Sequence, residues 1–171
     1  LFSERSGVLN LGIEGTMFLG AFAGFAVAAK TGSLWLGLLG AIVAGVLAGL
    51  LMSLLSVSLG VNQHVSGLGI TLLATGISLY LFRVIFGESN VPPAIEPFPM
   101  LQILPESNVL APITNQYLLT YIGILIIPLV WWIIGKTRFG LKIRAVGENP
   151  EAADAAGLNV YALRTYALMI A

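Results

Sequence analysis

A long stretch in the first half of the chain, residues 31–82, contains no Lys, Arg, Asp or Glu. One helical crossing of a bilayer needs about 20 apolar residues, so this stretch has room for two crossings. The whole chain is 57% hydrophobic and 9% charged, whereas soluble domains carry about 25% charged residues. A soluble fold would leave much of this apolar surface in water. We therefore expect a membrane protein.

The apolar segments predict an all-α fold, a polytopic transmembrane helix bundle with four spans and the start of a fifth. The predicted spans are residues 7–29, 34–59, 66–86 and 117–135, and the fifth begins near Tyr161. The chain begins without Met and ends inside an apolar segment. We therefore expect a fragment of a longer protein.

Charge and cysteine content argue against several classes of protein. The formal net charge is zero, so nucleic acid is not an expected partner, because nucleic-acid-binding domains are basic. The chain has no Cys, and its one His is His64. We expect no disulfide and no metal site, and nothing in the sequence indicates a cofactor.

Basic residues predict the orientation of the spans, because loops rich in Lys and Arg stay in the cytoplasm. Residues 136–160 form the most basic loop, which we place in the cytoplasm, so that residues 87–116 lie outside. Those outer residues are rich in Pro, which excludes one continuous helix there. Lys30 and Arg83 also fall outside, and the other six basic residues fall inside: Arg5, Lys136, Arg138, Lys142, Arg144 and Arg164.

Two of the predicted spans carry a small residue at every fourth position, on one helix face. Small side chains let helix backbones approach closely, which is a main source of helix association in lipid. We expect these residues to pack helices together. They are Thr16, Gly20, Gly24 and Ala28 in the first span, and Gly37, Ala41, Gly45, Gly49 and Ser53 in the second.

Polar residues in or beside apolar spans usually face a pathway or a partner. Glu14 has two interpretations. It lies paired near the cytoplasmic interface, for example with Arg5, or the glycines around it break the helix and polar groups line a cavity. Residues 62–64 also fit a polar turn before Ser66, which would be the N-cap of the third span. The candidates for lining a pathway are Asn10, Glu14, Asn62, Gln63, Thr71 and Thr75.

Residues 149–157 encode a short helix with both ends specified. Asn149 is a good N-cap, and Pro150 fits the first helical position. Glu151 lies in the first turn, where the helix dipole favours an anion, and Gly157 suits a left-handed end. The side chains between are mostly Ala, so the helix presents a smooth knob that can enter a groove of another protein. A plain surface loop explains this composition equally well.

The same segment resembles a motif of a known family. Glu151-Ala152-Ala153, followed by Gly157, resembles the EAA loop of bacterial ABC importer permeases, in which the loop forms the coupling helix that docks on the cytoplasmic ATPase. Residues 137–140 and 144–153 look like the branch that serves ribose-type sugars, nucleosides and branched-chain amino acids. Residues 3–15 and 62–67 are similar to the nucleoside and simple-sugar members. The Ile-x-Leu-Pro that ends the fuller EAA pattern is absent after Gly157, as is usual for this branch.

The resemblance implies that the chain is a partial transmembrane permease domain of an ABC importer for a nucleoside or simple sugar, in the bacterial inner membrane. It is then not an enzyme, because a partner ATPase hydrolyses ATP, and the chain has no phosphate loop of the Gly-x-x-x-x-Gly-Lys kind. The other implied partners are a second permease subunit and an extracytoplasmic solute-binding protein. The residues implied in coupling to the ATPase are Gly147, Glu148, Asn149, Pro150, Glu151, Ala152, Ala153 and Gly157.

Three alternatives remain open at this point. A branched-chain amino-acid permease of the same superfamily should aim helix N-termini or charges at the carboxylate and ammonium groups of its substrate. An ion-driven secondary transporter should keep a buried acidic residue that titrates, and Glu14 is the candidate. An intramembrane hydrolase would pair Ser66 with His64, but it would also need an orienting group and an oxyanion site.

Overall fold

Four long apolar helices make up most of the bundle, and each is long enough to cross a bilayer. The computed structural model describes residues 1–87, 94–101 and 114–171. A short helix α1 precedes the spans, a π-helical turn extends α3, and three shorter helices follow the last span. The helices are α1 (Phe2–Arg5), α2 (Ile13–Thr31), α3 (Leu34–Ser53, continued by Leu54–Ser58), α4 (Gln63–Phe86), α5 (Leu118–Lys136), α6 (Arg138–Glu148), α7 (Pro150–Ala155) and α8 (Val160–Ile170). The predicted all-α bundle is confirmed.

The first span, α2, begins after residue 12, so the prediction that it starts at Gly7 is wrong. Gly7 has a φ of 78°, a left-handed conformation that a right-handed helix cannot continue through. The N–H of Leu9 donates to Gln63 Oε1 at 2.8 Å, and the N–H of Gly12 donates to Asn10 Oδ1 at 3.0 Å. Irregular backbone at membrane depth needs such partners. These bonds therefore supply the backbone N–H groups of Leu9 and Gly12 with acceptors, so the segment before α2 can be non-helical.

The predicted stripe of small residues on α3 packs against two different helices. A Cβ built on Gly37 would lie 2.8 Å from the carbonyl oxygen of Gly24 and 2.9 Å from the Cβ of Ala28, so α2 and α3 touch at their backbones. Further along α3, a Cβ built on Gly49 would lie 2.5 Å from the carbonyl oxygen of Leu168 in α8. Such close approach is the packing that small residues permit in lipid.

Helix α4 begins at Gln63, and Asn62 is its N-cap because Asn62 Oδ1 accepts a hydrogen bond from the N–H of His64 at 2.9 Å. The prediction that Ser66 caps this helix is therefore wrong. Ser66 lies inside α4, is buried, and its Oγ has no hydrogen-bond partner among the described residues. His64 is exposed, so the two side chains do not form the pair that a hydrolase would need.

The N-terminal helix meets α5, α6 and α8 at one end of the bundle. Phe2 packs in a core with Ile134 of α5 and Ile143 of α6. Thr137 turns the chain between α5 and α6, and its Oγ1 accepts a hydrogen bond from the N–H of Gly140 at 3.1 Å. The sequence predicts a basic loop here, but α6 is helical because tertiary packing buries its apolar face.

At the other end of the bundle, residues 94–99 fold over the turn between α2 and α3. The ring of Phe98 meets that of Trp35 edge-on, with centroids 5.5 Å apart. Two short strands, β1 (Met100–Leu101) and β2 (Gln116–Tyr117), pair antiparallel. Most of the predicted outer segment lies outside the described residues. Its described part is at the end of α2 away from the basic helices, and which end faces the cytoplasm stays a prediction.

Candidate functional site

Helix α7 forms the short helix that the sequence predicts, and hydrogen bonds hold both of its ends. Asn149 Oδ1 accepts from the N–H of Ala152 at 3.0 Å, and Pro150 is in the first turn. The helix stops before Gly157, which has a φ of 82°. The N–H of Gly157 donates to the carbonyl oxygen of Asp154 at 2.8 Å. These bonds satisfy backbone groups that every helix end leaves free, so α7 has a defined shape despite its length.

Most of α7 projects from the bundle. Ala153 is buried and anchors one side, whereas Glu151, Ala152 and Asp154 are exposed. The result is a small projection whose surface consists of exposed Ala residues and carboxylates. Of the other residues predicted to take part in coupling, Glu148, Asn149 and Gly157 are exposed, and Gly147 and Pro150 are half-buried.

A second candidate site is a cavity of about 470 Å³ between α2, α3 and α8. Its polar lining residues are Asn10 and Thr16, and the described lining contains no charged side chain. Gly45 lies on its wall, and a Cβ built there would have nothing within 4 Å. Near Gly45, therefore, the small-residue stripe borders open space instead of a neighbouring helix. A cavity of this size lies within the range of small-molecule sites.

A hydrogen bond joins α3 to α8 about one turn beyond Gly49. Ser53 Oγ lies 2.6 Å from Thr165 Oγ1, and the two residues are 112 positions apart in the chain. The sequence predicts Ser53 only as a small packing residue. Thr16 is likewise predicted only to pack, although it lines the cavity. The sequence does not distinguish these roles, because the small residues that let helices pack are also suited to lining a cavity or bonding between helices.

The structure does not bring the six predicted pathway residues into one cavity. Asn10 lines the cavity between α2, α3 and α8, and the others lie elsewhere on α2 and α4. Gln63 Oε1 accepts from the N–H of Leu9 in the segment before α2, and Asn62 Oδ1 accepts from the N–H of His64 at the start of α4. Thr71 and Thr75 are half-buried on α4, and Thr71 lies where α4 meets α2.

Glu14 is exposed in the first turn of α2. Within the described part of the chain it has no salt bridge, with Arg5 or with another basic residue, so the paired interpretation finds no partner there. An exposed acidic residue at a helix N-terminus is favoured by the helix dipole. Its position also differs from the buried acidic group that an ion-driven transporter would need.

Comparison with known proteins identifies the family. All of residues 1–171 match the family described as the permease component of branched-chain amino acid transport systems. The chain belongs to this permease family. The family predicted from the coupling motif is thereby confirmed. Permeases of this kind are transport components and not enzymes. With its four apolar helices, the permease is a multi-pass membrane protein.

Several curated relatives resemble the permease along almost its whole length. The guanosine ABC transporter permease of Bacillus subtilis is 39% identical over 99% of this chain and 56% of the relative. The putative glucose ABC transporter permease of Haloferax volcanii is 37% identical over 99% of this chain and 52% of the relative. The nucleoside ABC transporter permease of Lactococcus lactis is 36% identical over 96% of this chain and 55% of the relative.

The chain therefore spans about half the length of the curated relatives it matches. No solved structure matches it at a significant level. The family and the multi-pass architecture are thus established by sequence likeness and by the helices themselves.

Proposed function

We propose that this permease forms part of the membrane-spanning subunit of an ABC importer, in the bacterial inner membrane, that carries a nucleoside or a simple sugar. The observation that carries the proposal is α7, a capped knob whose Glu151 and Asp154 are exposed while Ala153 anchors it to the bundle. A rigid, projecting helix with small side chains suits insertion into a groove of a partner protein. The partner is a cytoplasmic ATPase, and the contact residues are those from Gly147 to Gly157 that the sequence predicts.

The lining of the cavity supports a neutral solute. Thr16 Oγ1 donates to the carbonyl oxygen of Gly12, and Asn10 Oδ1 accepts from the N–H of Gly12. The Asn10 side-chain N–H groups can still donate and Thr16 Oγ1 can still accept, and no charged side chain lines the described wall. A site for an amino acid would need groups that balance a carboxylate and an ammonium ion, because buried charges require partners. The relatives named for guanosine, nucleosides and glucose point the same way. We therefore rank a nucleoside or sugar above a branched-chain amino acid.

Two further partners complete the proposed importer. A second permease subunit supplies the other half of the pathway, and an extracytoplasmic binding protein delivers the solute to the outer face. Residues 94–99, which fold over the α2–α3 turn, form part of that face. ATP hydrolysis by the partner moves α7, and the spans then rotate as bodies to alternate access to the cavity. The pathway residues are Asn10, Glu14, Asn62, Gln63, Thr71 and Thr75, of which Asn10 is in the cavity.

Charge reversal at Glu151 tests the proposed function. The full-length protein is reconstituted in proteoliposomes with its ATPase and its binding protein, and ATP hydrolysis and uptake of labelled guanosine or glucose are measured together. We expect Glu151→Arg to lower uptake per ATP hydrolysed roughly tenfold or more, because it places a cation on the docking surface. Glu151→Gln is the matched control, because it removes the carboxylate charge without adding a cation and should lower this ratio less.

Two results would contradict the proposal. Uptake by the wild-type protein without any ATPase would make the ABC assignment wrong and favour an ion-driven transporter. Full uptake per ATP in Glu151→Arg, together with normal recovery of the ATPase in the purified complex, would remove α7 from the coupling contact.

A further inference from the structure

The last turn of α6 lies directly against the N-terminal segment. A Cβ built on Gly147 would collide with the backbone carbonyl of Arg5 and would lie 3.1 Å from the backbone nitrogen of Gly7. From the opposite side, a Cβ built on Gly7 would lie 3.4 Å from the Cα of Gly147. The two backbones therefore touch, and glycine at position 147 is what permits this contact. Gly147 also lies two positions before Asn149, the N-cap of α7.

Arg164 of α8 fastens the same turn. Its Nε donates to the carbonyl oxygen of Ser6 at 3.2 Å, across 158 positions of sequence. The turn itself is internally bonded, because Ser6 Oγ donates to the carbonyl oxygen of Ser3 at 2.7 Å and the N–H of Val8 donates to the same oxygen at 3.0 Å. Ser3, Ser6 and Val8 are at most 1% exposed. The segment is thus buried and internally braced rather than a loose tail.

The other end of this segment reaches the membrane spans. Val8 packs in a core with Met52 of α3, Ile70 of α4 and Leu168 of α8. The N–H of Leu9 donates to Gln63 Oε1 at the start of α4. Segment 3–9 therefore contacts the helix that leads into α7 at one end and the α3 and α4 spans at the other.

We propose that Gly147, Gly7 and Arg164 are positioning residues that transmit the displacement of α7 through segment 3–9 to α3 and α4. This inference rests on the proposed function, because it requires an ATPase that moves α7. A push on α7 moves the end of α6, and Gly147 then displaces the turn that Arg164 holds. The braced turn carries Val8 and Leu9 with it, and these residues shift the cytoplasmic ends of the spans. Physical contact alone does not establish energetic coupling, so the test measures coupling itself.

The experiment compares uptake per ATP hydrolysed in three variants of the full-length protein, reconstituted with its ATPase and binding protein. Gly147→Ala pushes the turn away, and Arg164→Gln removes the charged donor to Ser6 without adding bulk at the contact. Gly135→Ala is the control, because a Cβ there has nothing within 4 Å and Gly135 lies at the same end of the bundle. The labelled solutes are guanosine and glucose.

We expect Gly147→Ala and Arg164→Gln to lower uptake per ATP roughly fivefold or more while ATP hydrolysis continues, and Gly135→Ala to behave as the wild type. A merely structural role would reduce the amount of assembled transporter, and with it both rates, but would leave their ratio unchanged. If the Gly147→Ala protein does not accumulate in the membrane, the uptake per ATP of Arg164→Gln alone tests the inference.

An unchanged ratio in these variants, with an active wild type, overturns this inference and leaves the proposed function intact. A wild-type protein that shows no ATP-dependent uptake of either solute contradicts both.

Discussion

Single glycines decide how closely the helices of this permease approach one another. A Cβ built on Gly15 would collide with the backbone of Thr71, and a Cβ built on Gly67 would lie 2.7 Å from the Cβ of Leu11. The start of α2 is thus pressed against α4. Other glycines, such as Gly69, have open space in place of a contact. Gly67 and Gly69 thus have different surroundings within a single turn of α4.

Replacement of Gly15 by Ala should destabilise the folded protein. The added methyl group has no room beside Thr71, and overpacking of this kind costs about 1–3 kcal/mol. The measurement is the midpoint of thermal unfolding of the purified full-length protein in detergent. Gly69→Ala is the matched control, and it should leave the midpoint unchanged or raise it, because Ala is favoured over Gly in a helix interior. Equal midpoints for the two variants would show that α2 and α4 are not in contact at Gly15.

At the scale of helices, Asn side chains set where three of them begin. Asn62, Asn149 and Asn159 each accept a hydrogen bond from a backbone N–H in the first turn of the following helix. The cap of α7 matters most, because so short a helix has little stability of its own. Buried Ala153 and the cap at Asn149 together hold the knob in shape.

Removal of one cap should loosen one helix. Asn149→Ala leaves the first-turn amide of Ala152 without its partner and should cost about 1 kcal/mol of local stability. Hydrogen exchange followed by mass spectrometry should show faster exchange in peptides that cover residues 150–157. Asn159→Ala, which uncaps α8, is the comparison, and its effect should fall on residues 160–165. Exchange in α7 that is as slow in Asn149→Ala as in the wild type would mean that tertiary packing alone holds α7.

At the scale of the whole molecule, α3 parts from its neighbours beside an open cavity whose lining is mostly apolar and whose polar side chains are Asn10 and Thr16. Helix α3 touches α2 near Gly37 and α8 near Gly49, and the cavity opens beside Gly45 between those contacts. Helix packing thus creates the space, and Asn10 and Thr16 supply its hydrogen-bonding groups. If solute passes here, filling the cavity should stop transport without disturbing the fold.

Gly45→Leu makes that test. The side chain enters open space, so the variant should accumulate normally, while uptake of labelled guanosine or glucose in proteoliposomes should fall roughly tenfold or more because the cavity is occupied. Gly123→Leu is the control: a Cβ on Gly123, in α5, also has nothing within 4 Å, but Gly123 does not line this cavity. Undiminished uptake in Gly45→Leu would place the pathway elsewhere in the transporter.

The sequence by itself determined the membrane class, the number of spans and the ends of α7. Hydropathy depends on composition over about 20 neighbouring residues, and the caps at Asn149 and Gly157 act on amides within a few positions. Such short-range causes are visible in the sequence. The helices α3 and α5 accordingly begin within a residue of their predicted starts.

Only the tertiary structure decided between a continuous first span and one broken at its glycines, and only it decided the helical state of α6 and the position of the cavity. The bond from Leu9 to Gln63 spans 54 positions, and that between Ser53 and Thr165 spans 112. Local preference cannot anticipate such partners, because residues this far apart in the sequence meet only when the helices pack. In the segment before α2, the N–H of Leu9 bonds to Gln63 instead of to a helical carbonyl. The same reason explains why the six predicted pathway residues lie in different places, and why only Asn10 among them lines the cavity.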